Sequence, residues 1–329
     1  MGLLKVPIAF SGICDHCLKC LWGKIPCPVC RTKKYTVLHP PQYPSGLSNE
    51  NLREVYLASS DRVLMDQLVQ CRSCSLVYLN PRIGQEIILS GYKNAVDPTF
   101  TGQNSQRIKT FKRSLSYILS RYEIKANLQT RVLDVGCAGG AFPKAASDLG
   151  FSVIGVEPSS WLAEYGKKTY NLDIRTGLLA EQEFTKASFD VVTLWDVIEH
   201  LTDPDEVIGQ VHHLLKDNGL LIVNYPNYAS LMRRLLGMKW PFFLNVHLLY
   251  FTPVTIKYFL EDHGLIVEEN RSFYQTLELG YVIERAAAYF AIFGILAKVV
   301  RLFGLHHLPF RYNMGQSFLV ARKCASKHS

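Results

Sequence analysis

The sequence predicts an α/β fold built around a mostly parallel sheet, and three segments in the middle of the chain support this prediction. The first is a short apolar strand at 131–135 that ends in the glycine-rich turn 136–140. A second strand ends at Glu157, and a third, 189–196, ends at Asp196. Helical segments alternate with these strands, which is typical of parallel sheets whose strands end at one common edge.

The glycine-rich turn predicts a site at which backbone amides approach a ligand closely. Glycine adopts the dihedral angles of such a turn without a side chain in the way, and the turn opens a helix. Taken alone, the turn could serve a dinucleotide, a phosphate or only a tight bend. Glu157 lies 23 positions after Asp134, where a carboxylate can accept hydrogen bonds from both hydroxyls of a ribose. The combination predicts a nucleoside-binding α/β domain.

The segments after Glu157 narrow down the nucleoside. The strand 189–196 is followed by the run 197–204 (Val-Ile-Glu-His-Leu-Thr-Asp-Pro), a helix and the strand 219–224. This order resembles the class I S-adenosylmethionine-dependent methyltransferases, in particular the branch with ubiquinone-type O-methyltransferases and deoxysugar methyltransferases. The resemblance implies a Rossmann-like, seven-stranded sheet that binds S-adenosylmethionine. The family's motif acid-x-Gly-x-Gly-x-Gly, with alanine in the middle position here, implies the cofactor contacts Asp134, Gly136, Ala138 and Gly140, joined by Glu157 and Asp196.

Four of the nine cysteines form two pairs, Cys27-x-x-Cys30 and Cys71-x-x-Cys74. The N-terminal residues have no long apolar stretch of the kind found in secretory signals, so we expect a cytoplasmic protein that uses cysteines for metal, not for disulfides. Two such pairs complete a tetrahedral site for one structural zinc ion, with buried free thiols as the alternative. Residues 75–82 resemble the zinc-binding module that precedes the catalytic domain in some sugar methyltransferases.

The length of 329 residues favours one large domain and a small one. We expect an N-terminal extension at 1–22, a zinc-binding module at 23–82 and a methyltransferase domain at 83–329. Within the extension, Cys14, Cys17 and Cys20 depart from ferredoxin spacing and receive no assignment.

The charges are unevenly distributed along the chain. Residues 131–228 carry 7 basic and 14 acidic side chains, whereas the flanks carry 29 basic and 14 acidic ones. An acidic core suits a sulfonium cation, and the basic flanks could attract an anionic substrate or surface, or carry only solvated lysines.

Three residues are candidates for positioning or deprotonating an acceptor. His200 follows the strand that carries Asp196, at the sheet edge where ligands bind, and is predicted as a general base for a poorly acidic hydroxyl or a carbon. Activity should then fall below its ordinary pKa of about 6.5; a capping or packing role is the alternative. The resemblance places Tyr92 over the methionine end of the cofactor and His247 in a loop above the acceptor, although Tyr92 could only pack and His247 only brace its loop.

A largely apolar helical insertion is predicted at about 276–305. Lys298 and Arg301 interrupt it, and its uncharged run is shorter than a bilayer span. We expect a lid over the acceptor or a buried helix, with a dimer face or a helix lying on a membrane as alternatives.

The predicted activity is methyl transfer to oxygen or carbon of a small or lipid-linked acceptor, with a sugar or sugar nucleotide as the first expectation. An RNA base methyltransferase is the alternative, because some of these enzymes also carry an N-terminal zinc module and basic flanks. Against it, the Asn-Pro-Pro-Tyr motif of amino-group methylases does not follow the fourth strand. A non-catalytic nucleoside-binding protein is the third possibility.

Overall fold

The computed structural model describes residues 22–43, Tyr56, 64–287 and 289–325. Cys14, Cys17 and Cys20 lie outside the described residues. The described strands are β1 (Trp22–Gly23), β2 (Tyr35–His39), β3 (Leu68–Cys71), β4 (Val77–Leu79), β5 (Arg82–Ile83), β6 (Arg131–Val135), β7 (Ser152–Glu157), β8 (Ile174–Thr176), β9 (Phe189–Trp195), β10 (Leu215–Pro226), β11 (Leu249–Tyr250), β12 (Leu265–Ser272), β13 (Gln275–Glu278), β14 (Pro309–Tyr312) and β15 (Gln316–Lys323).

The described α-helices alternate with the strands of the central part of the chain. Three of them begin at an N-cap residue followed by proline: the side chains of Asp97, Asp203 and Thr252 accept hydrogen bonds from the amides of Phe100, Glu206 and Thr255. The helices are α1 (Gln85–Lys93), α2 (Pro98–Gly102), α3 (Asn104–Tyr122), α4 (Ala141–Asp148), α5 (Ser160–Tyr170), α6 (Pro204–Leu214), α7 (Leu231–Leu236), α8 (Pro253–Asp262), α9 (Leu279–Ala287) and α10 (Ile292–Leu302).

A seven-stranded sheet with the order β12-β15-β10-β9-β6-β7-β8 forms the centre of the fold. The five strands from β10 to β8 are parallel to their neighbours, whereas β15 is antiparallel to both β10 and β12. The predicted Rossmann-like sheet of seven strands is therefore confirmed. Because the parallel strands share a direction, their carboxyl ends meet at one edge, and this edge carries the candidate site.

Side chains of the central strands alternate between two apolar clusters. In β6 and β9, Leu133 and Val192 belong to one cluster, while Val132 and Val191 belong to the other. Helix α3 covers the second cluster with Phe111, Leu115 and other apolar residues of one face. The sheet is thus buried on both faces, as expected for parallel strands that are joined by helices.

A second sheet, β11-β4-β3-β2, connects the cysteine pairs to the rest of the chain. Its first three strands in sequence belong to the predicted module at 23–82, but β11 comes from residues 249–250 and pairs with β4 in antiparallel register. Cys27, Leu68 and Tyr250 lie in one apolar cluster with strands β6 and β9. The module and the methyltransferase domain therefore share a sheet and a core.

The apolar insertion leaves and re-enters the fold through the antiparallel pair β13 and β14. Between these strands lie α9 and α10, and Val300 is the one buried residue of α10. The expectation of a buried helix is therefore wrong for α10, because its apolar residues face outward. Among the described residues, the structure has no helix long and apolar enough to cross a membrane.

Candidate cofactor and acceptor site

The glycine-rich turn lies between β6 and α4 and has the left-handed backbone that the motif requires. Gly136, Ala138 and Gly140 have φ angles of +71°, +47° and +79°. A Cβ atom at Gly136 would lie 2.6 Å from a methyl carbon of Val197, so a side chain cannot be accommodated there without movement. Ala138 adopts the same left-handed region, so alanine in the middle position carries a conformational cost that glycine would not.

Glu157, at the end of β7, is held by backbone amides on either side of its carboxylate. Its Oε2 accepts a hydrogen bond of 2.8 Å from Ala138, and its Oε1 accepts one of 2.8 Å from Ser159. Burial raises the pKa of Glu157 to about 7, and the two amides partly oppose this rise. The side chain is thereby fixed against the turn at the wall of a cavity.

Asp134, at the end of β6, is almost completely buried. It accepts a hydrogen bond of 2.6 Å from the hydroxyl of Thr193 in the neighbouring strand β9. Burial is the main cause that raises its pKa well above the ordinary value, and the charge of Glu157 contributes to the rise. Asp134 thus links β6 to β9 beneath the turn and also lines the cavity.

Asp196 follows β9 with a left-handed backbone, φ +54°. Its Oδ1 accepts hydrogen bonds of 2.6 Å each from Asn224 and Gln316. Burial raises its pKa to about 6, and the positive charge of Arg107 and the hydrogen bond from Gln316 oppose the rise. Aspartate is one of the non-glycine residue types that adopt this conformation most often, and the hydrogen bonds from Asn224 and Gln316 hold the side chain in place.

These residues border a cavity of about 490 Å³, within the usual range for small-molecule sites. Its wall includes the turn 136–139, Glu157, Asp196, Tyr92 and His200. The predicted cofactor contacts Asp134, Gly136, Ala138, Glu157, Asp196 and Tyr92 are thereby brought together, whereas Gly140 supports the turn from outside the wall. The anchored Glu157, the turn that excludes a Cβ and the acidic surroundings fit a nucleoside with a cationic sulfonium.

Arg107, in α3, is a cavity residue that sequence reasoning missed. Its guanidinium carbon lies 3.8 Å from the ring centre of Phe100, and its Nε is buried without a hydrogen-bond partner among the described residues. Asn104, one turn earlier in α3, donates a hydrogen bond of 3.0 Å to the carbonyl of Gly139. The start of α3 therefore brings a positive charge next to the glycine-rich turn and Asp196.

His200 lies in a short 3₁₀ turn after Asp196, and the contacts of its Nδ1 define its tautomer. Nδ1 lies 2.8 Å from the carbonyl oxygen of Val246 and 2.6 Å from the hydroxyl of Tyr92. Because a carbonyl oxygen only accepts, Nδ1 carries the proton, and Nε2 keeps its lone pair. Burial lowers the pKa of His200 to about 4, so the ring is neutral near pH 7.

Tyr92 contacts His200 as well as lining the cavity. Burial, followed by the charges of Glu199 and Glu157, raises the pKa of Tyr92 well above its ordinary value, so its hydroxyl stays protonated. The hydrogen-bond distance to His200 was not foreseen from the sequence, because α1 and the turn at 198–200 are far apart in the chain.

His247 was predicted to contact the acceptor or to brace its loop, and it does not line the cavity. It lies against His200, with 4.6 Å between the ring centres, and its Nδ1 lies 2.7 Å from the carbonyl oxygen of Phe242. Burial lowers its pKa well below the ordinary value. It packs against the ring of the predicted base.

Glu199 completes a group of three potential metal ligands with these two histidines. Both carboxylate oxygens of Glu199 are buried and have no hydrogen-bond partner among the described residues. One ligand atom from each of Glu199, His200 and His247 lies within 4.8 Å of the others. An unpartnered buried carboxylate is costly unless it is protonated or near a cation, so these three residues could hold a divalent ion.

The four predicted zinc ligands lie together next to the second sheet. Sγ of Cys27 is 3.5 Å from that of Cys74, and Sγ of Cys30 is 3.4 Å from that of Cys71. All four sulfurs lie within 4.8 Å of one another. Zn–S bonds of about 2.3 Å in a tetrahedron place sulfurs about 3.8 Å apart, whereas a disulfide requires about 2.05 Å. The donor set and spacing fit a zinc ion.

Comparisons with known proteins agree with this architecture. Residues 104–270, just over half of the chain, match the family model described as a methyltransferase domain. The chain is 30% identical over 152 residues to a ubiquinone biosynthesis O-methyltransferase of Rhodopseudomonas palustris, covering 43% of this chain and 60% of that one. It is 31% identical over 131 residues to the mitochondrial ubiquinone biosynthesis O-methyltransferase of Schizosaccharomyces pombe, covering 38% and 46%. The chain thus spans 60% or less of these two relatives.

Among solved structures, magnesium protoporphyrin IX methyltransferase from Synechocystis is similar with a TM-score of 0.45 at 14% identity, covering 70% of this chain and 89% of that one. The family match, the strand order and the glycine-rich turn after β6 agree with the resemblance inferred from the sequence. This chain belongs to the methyltransferase-domain family and is a class I S-adenosylmethionine-dependent methyltransferase.

Proposed function

We propose that the protein transfers the methyl group of S-adenosylmethionine to a hydroxyl of a small or lipid-linked acceptor, and that this hydroxyl is acidic, as in a phenol. One observation carries the proposal: a neutral His200 with a free Nε2 lines the same cavity as Glu157 and the glycine-rich turn. The ubiquinone biosynthesis relatives are O-methyltransferases by name, which supports oxygen as the accepting atom.

The residues that we assign to the cofactor lie at the ends of strands β6, β7 and β9 and in helix α3. The carboxylate of Glu157 accepts hydrogen bonds from the ribose hydroxyls, and the amides of the turn approach the nucleoside. Arg107 pairs with the carboxylate of the methionine end, which would give its buried Nε an acceptor. The cofactor supplies a methyl group that its sulfonium already activates. The remaining task of the protein is to align the acceptor oxygen and to exclude water.

The acidity of the acceptor follows from the environment of His200. A base whose pKa is lowered to about 4 by burial is a weak proton acceptor. It can assist a phenol, whose pKa is about 10, far better than an aliphatic hydroxyl, whose acidity is close to that of water, about 16. Burial also raises the pKa of Glu199 well above its ordinary value, so this carboxyl adds little negative charge to stabilise the imidazolium that forms. A sugar hydroxyl, the first expectation from the sequence, is therefore the less suitable acceptor.

Glu199 favours a second role for His200. If Glu199, His200 and His247 bind a divalent ion, the two partnerless oxygens of Glu199 gain a cation. His200 would then act as a ligand and not as a base, and the ion would supply a Lewis acid at the cavity wall.

We also propose that Cys27, Cys30, Cys71 and Cys74 bind one structural zinc ion. Four thiolates leave no open coordination position, so the ion would stabilise the second sheet without taking part in methyl transfer.

The test is transfer of labelled methyl from S-adenosylmethionine to a panel of catechols and phenols, nucleotide sugars and RNA. We expect labelled phenolic ethers. Methylated sugars alone would contradict the acidic acceptor, and methylated RNA bases would support the RNA alternative. If calorimetry showed saturable binding of S-adenosylhomocysteine but no acceptor of any class were methylated, the protein would bind the nucleoside without catalysing methyl transfer.

A further inference from the structure

The insertion carries an apolar stripe that faces away from the core. In α10, the exposed residues Ile292, Ile295, Leu296, Val299, Leu302 and Phe303 follow one another at intervals of three, one, three, three and one positions. This spacing places them on one face of a helix. Leu302 is 81% exposed and Phe303 is 70% exposed, so the stripe is not a partly buried edge of the core.

The same surface continues beyond α10. Leu305 and Leu308 are exposed in the segment that leads into β14, and Phe310 is exposed within β14. Beside the insertion, α7 exposes Leu231 and Leu235, four positions apart, which are 68% and 70% exposed. The segments next to α7 and α10 approach each other, because Nζ of Lys239, after α7, lies 4.8 Å from the ring centre of Phe290, before α10. Exposed apolar surface of this extent marks an interaction site.

The charges of the insertion are positive. Residues 279–312 contain four basic side chains, Arg285, Lys298, Arg301 and Arg311, against the single acidic Glu284, and α7 adds Arg233 and Arg234. Arg301 pairs with Glu284, while Lys298 is exposed on α10 itself. An apolar helix face flanked by lysine and arginine is complementary to a bilayer that displays anionic headgroups, whereas a second copy of the same surface would bring like charges together.

The insertion does not act as a lid in this conformation. No described residue of 279–312 lines the cavity. Its base is nevertheless next to the site, since Gln316, which follows β14, donates a hydrogen bond of 2.6 Å to Asp196. A protein anchored through α10 would hold the cavity close to the source of a lipid-linked acceptor.

We propose that α10, together with the exposed residues of 305–310 and α7, binds the surface of an anionic lipid bilayer without crossing it. The apolar stripe enters the boundary between headgroups and acyl chains, and the basic side chains remain at the level of the headgroups. Membrane binding requires no methyl transfer, so it can hold or fail independently of the proposed activity.

The experiment is co-sedimentation of the full chain with vesicles of phosphatidylcholine alone or with phosphatidylglycerol. We expect binding to the anionic vesicles that weakens with added salt. The double variant Ile295→Glu/Leu302→Glu should lower the partition coefficient by about tenfold or more, because each methylene that no longer inserts weakens partitioning. Lys298→Gln/Arg311→Gln should weaken binding to anionic vesicles specifically.

The matched control is Leu128→Glu/Val254→Glu, which makes the same charge change at residues that are 79% and 76% exposed outside the insertion. It should lower binding far less than the α10 variant. Circular dichroism checks that each variant folds. Equal binding by the α10 variant and its parent, or no binding by the parent, would overturn the proposal. So would a dimer in light scattering that Ile295→Glu/Leu302→Glu dissociates, since the surface would then bind a second copy.

Discussion

Leu79 donates its backbone N–H to the carbonyl oxygen of Leu248 at 3.0 Å, and this bond joins the cysteine-bearing sheet to the segment around His247. The N–H of Leu248 in turn donates to the carbonyl of Glu199 at 2.8 Å. A short series of backbone hydrogen bonds therefore connects β4, which follows the second cysteine pair, with the residue before His200. A zinc ion bound by the four cysteines would therefore stabilise a sheet that is hydrogen-bonded to this part of the candidate site.

The first prediction concerns removal of this metal. Cys71→Ser should reduce the zinc content from one ion per chain to none, because three thiolates bind the ion far more weakly. Turnover should fall by about 10²-fold, the cost of a misplacement of roughly 1 Å near the acceptor, while affinity for S-adenosylmethionine should change little. Elemental analysis, kinetics and calorimetry measure the three quantities.

The control for this variant is Cys324→Ser, which removes an exposed cysteine from the other end of the chain. It should keep both zinc and activity. If Cys71→Ser lost its zinc and kept full turnover, the second sheet would not position the site.

The second prediction concerns the ribose. Glu157→Ala should weaken binding of S-adenosylmethionine by about 1.5–3 kcal/mol, the scale of hydrogen bonds to a charged group. Isothermal calorimetry provides the affinity. Glu164→Ala, which removes an exposed carboxylate of α5 paired with lysines, should bind the cofactor as the parent does. If a folded Glu157→Ala variant bound S-adenosylmethionine as tightly as the parent, Glu157 would not be a cofactor contact.

The third prediction concerns Arg107. Arg107→Gln keeps a polar side chain but removes the positive charge, so it should weaken S-adenosylmethionine binding by about 1.5–3 kcal/mol. Binding of 5′-methylthioadenosine, which has no carboxylate, should be nearly unchanged, and this comparison locates the effect at the methionine end. Lys109→Gln, an exposed residue of the same helix, serves as the control. A similar loss for both ligands would contradict the assignment.

Sequence reasoning located the parts of the site that depend on local pattern. The apolar strands, the turn at 136–140 and the spacing from Asp134 to Glu157 are properties of neighbouring residues. Arg107 was missed because its approach to Asp196 depends on how α3 packs across the sheet. Strand β11 was missed because two residues carry no periodicity. The apolar period of α10 defined a face, but period alone does not tell whether that face is covered.

The fourth prediction separates the two roles of His200. The protein is first dialysed against a weak chelator that leaves the metal of the cysteine site in place. If His200 is a base, the activity of this protein should not depend on added Mg²⁺ or Mn²⁺. Glu199→Gln, which keeps the size of the side chain, should then change turnover only modestly, because burial raises the pKa of Glu199 well above its ordinary value and favours the neutral carboxyl in the parent. Strict dependence on the added ion, lost in Glu199→Gln, would assign His200 to a metal site instead.

The last prediction concerns catalysis by His200 and its pH dependence. His200→Gln should lower turnover by about 10²-fold, the lower end of the contribution of a positioned general base, because His200 is a weak base and a phenol ionises with little help. Cofactor affinity should be nearly unchanged. A histidine base is active when neutral, so activity is lost as the pH falls through its pKa. Burial lowers that pKa to about 4, so the acidic limb should lie near pH 4 and not near 6.5, as the sequence had suggested. The profile of kcat against pH, with cofactor and acceptor saturating, measures the limb, because kcat/KM would also report the free enzyme's Glu157, whose pKa is raised to about 7. The limb should be absent from the residual activity of His200→Gln. His213→Gln, a change in α6 outside the cavity wall, should reproduce the profile of the parent. A limb that persists near the same pH in His200→Gln would belong to another group and would leave His200 with a structural role.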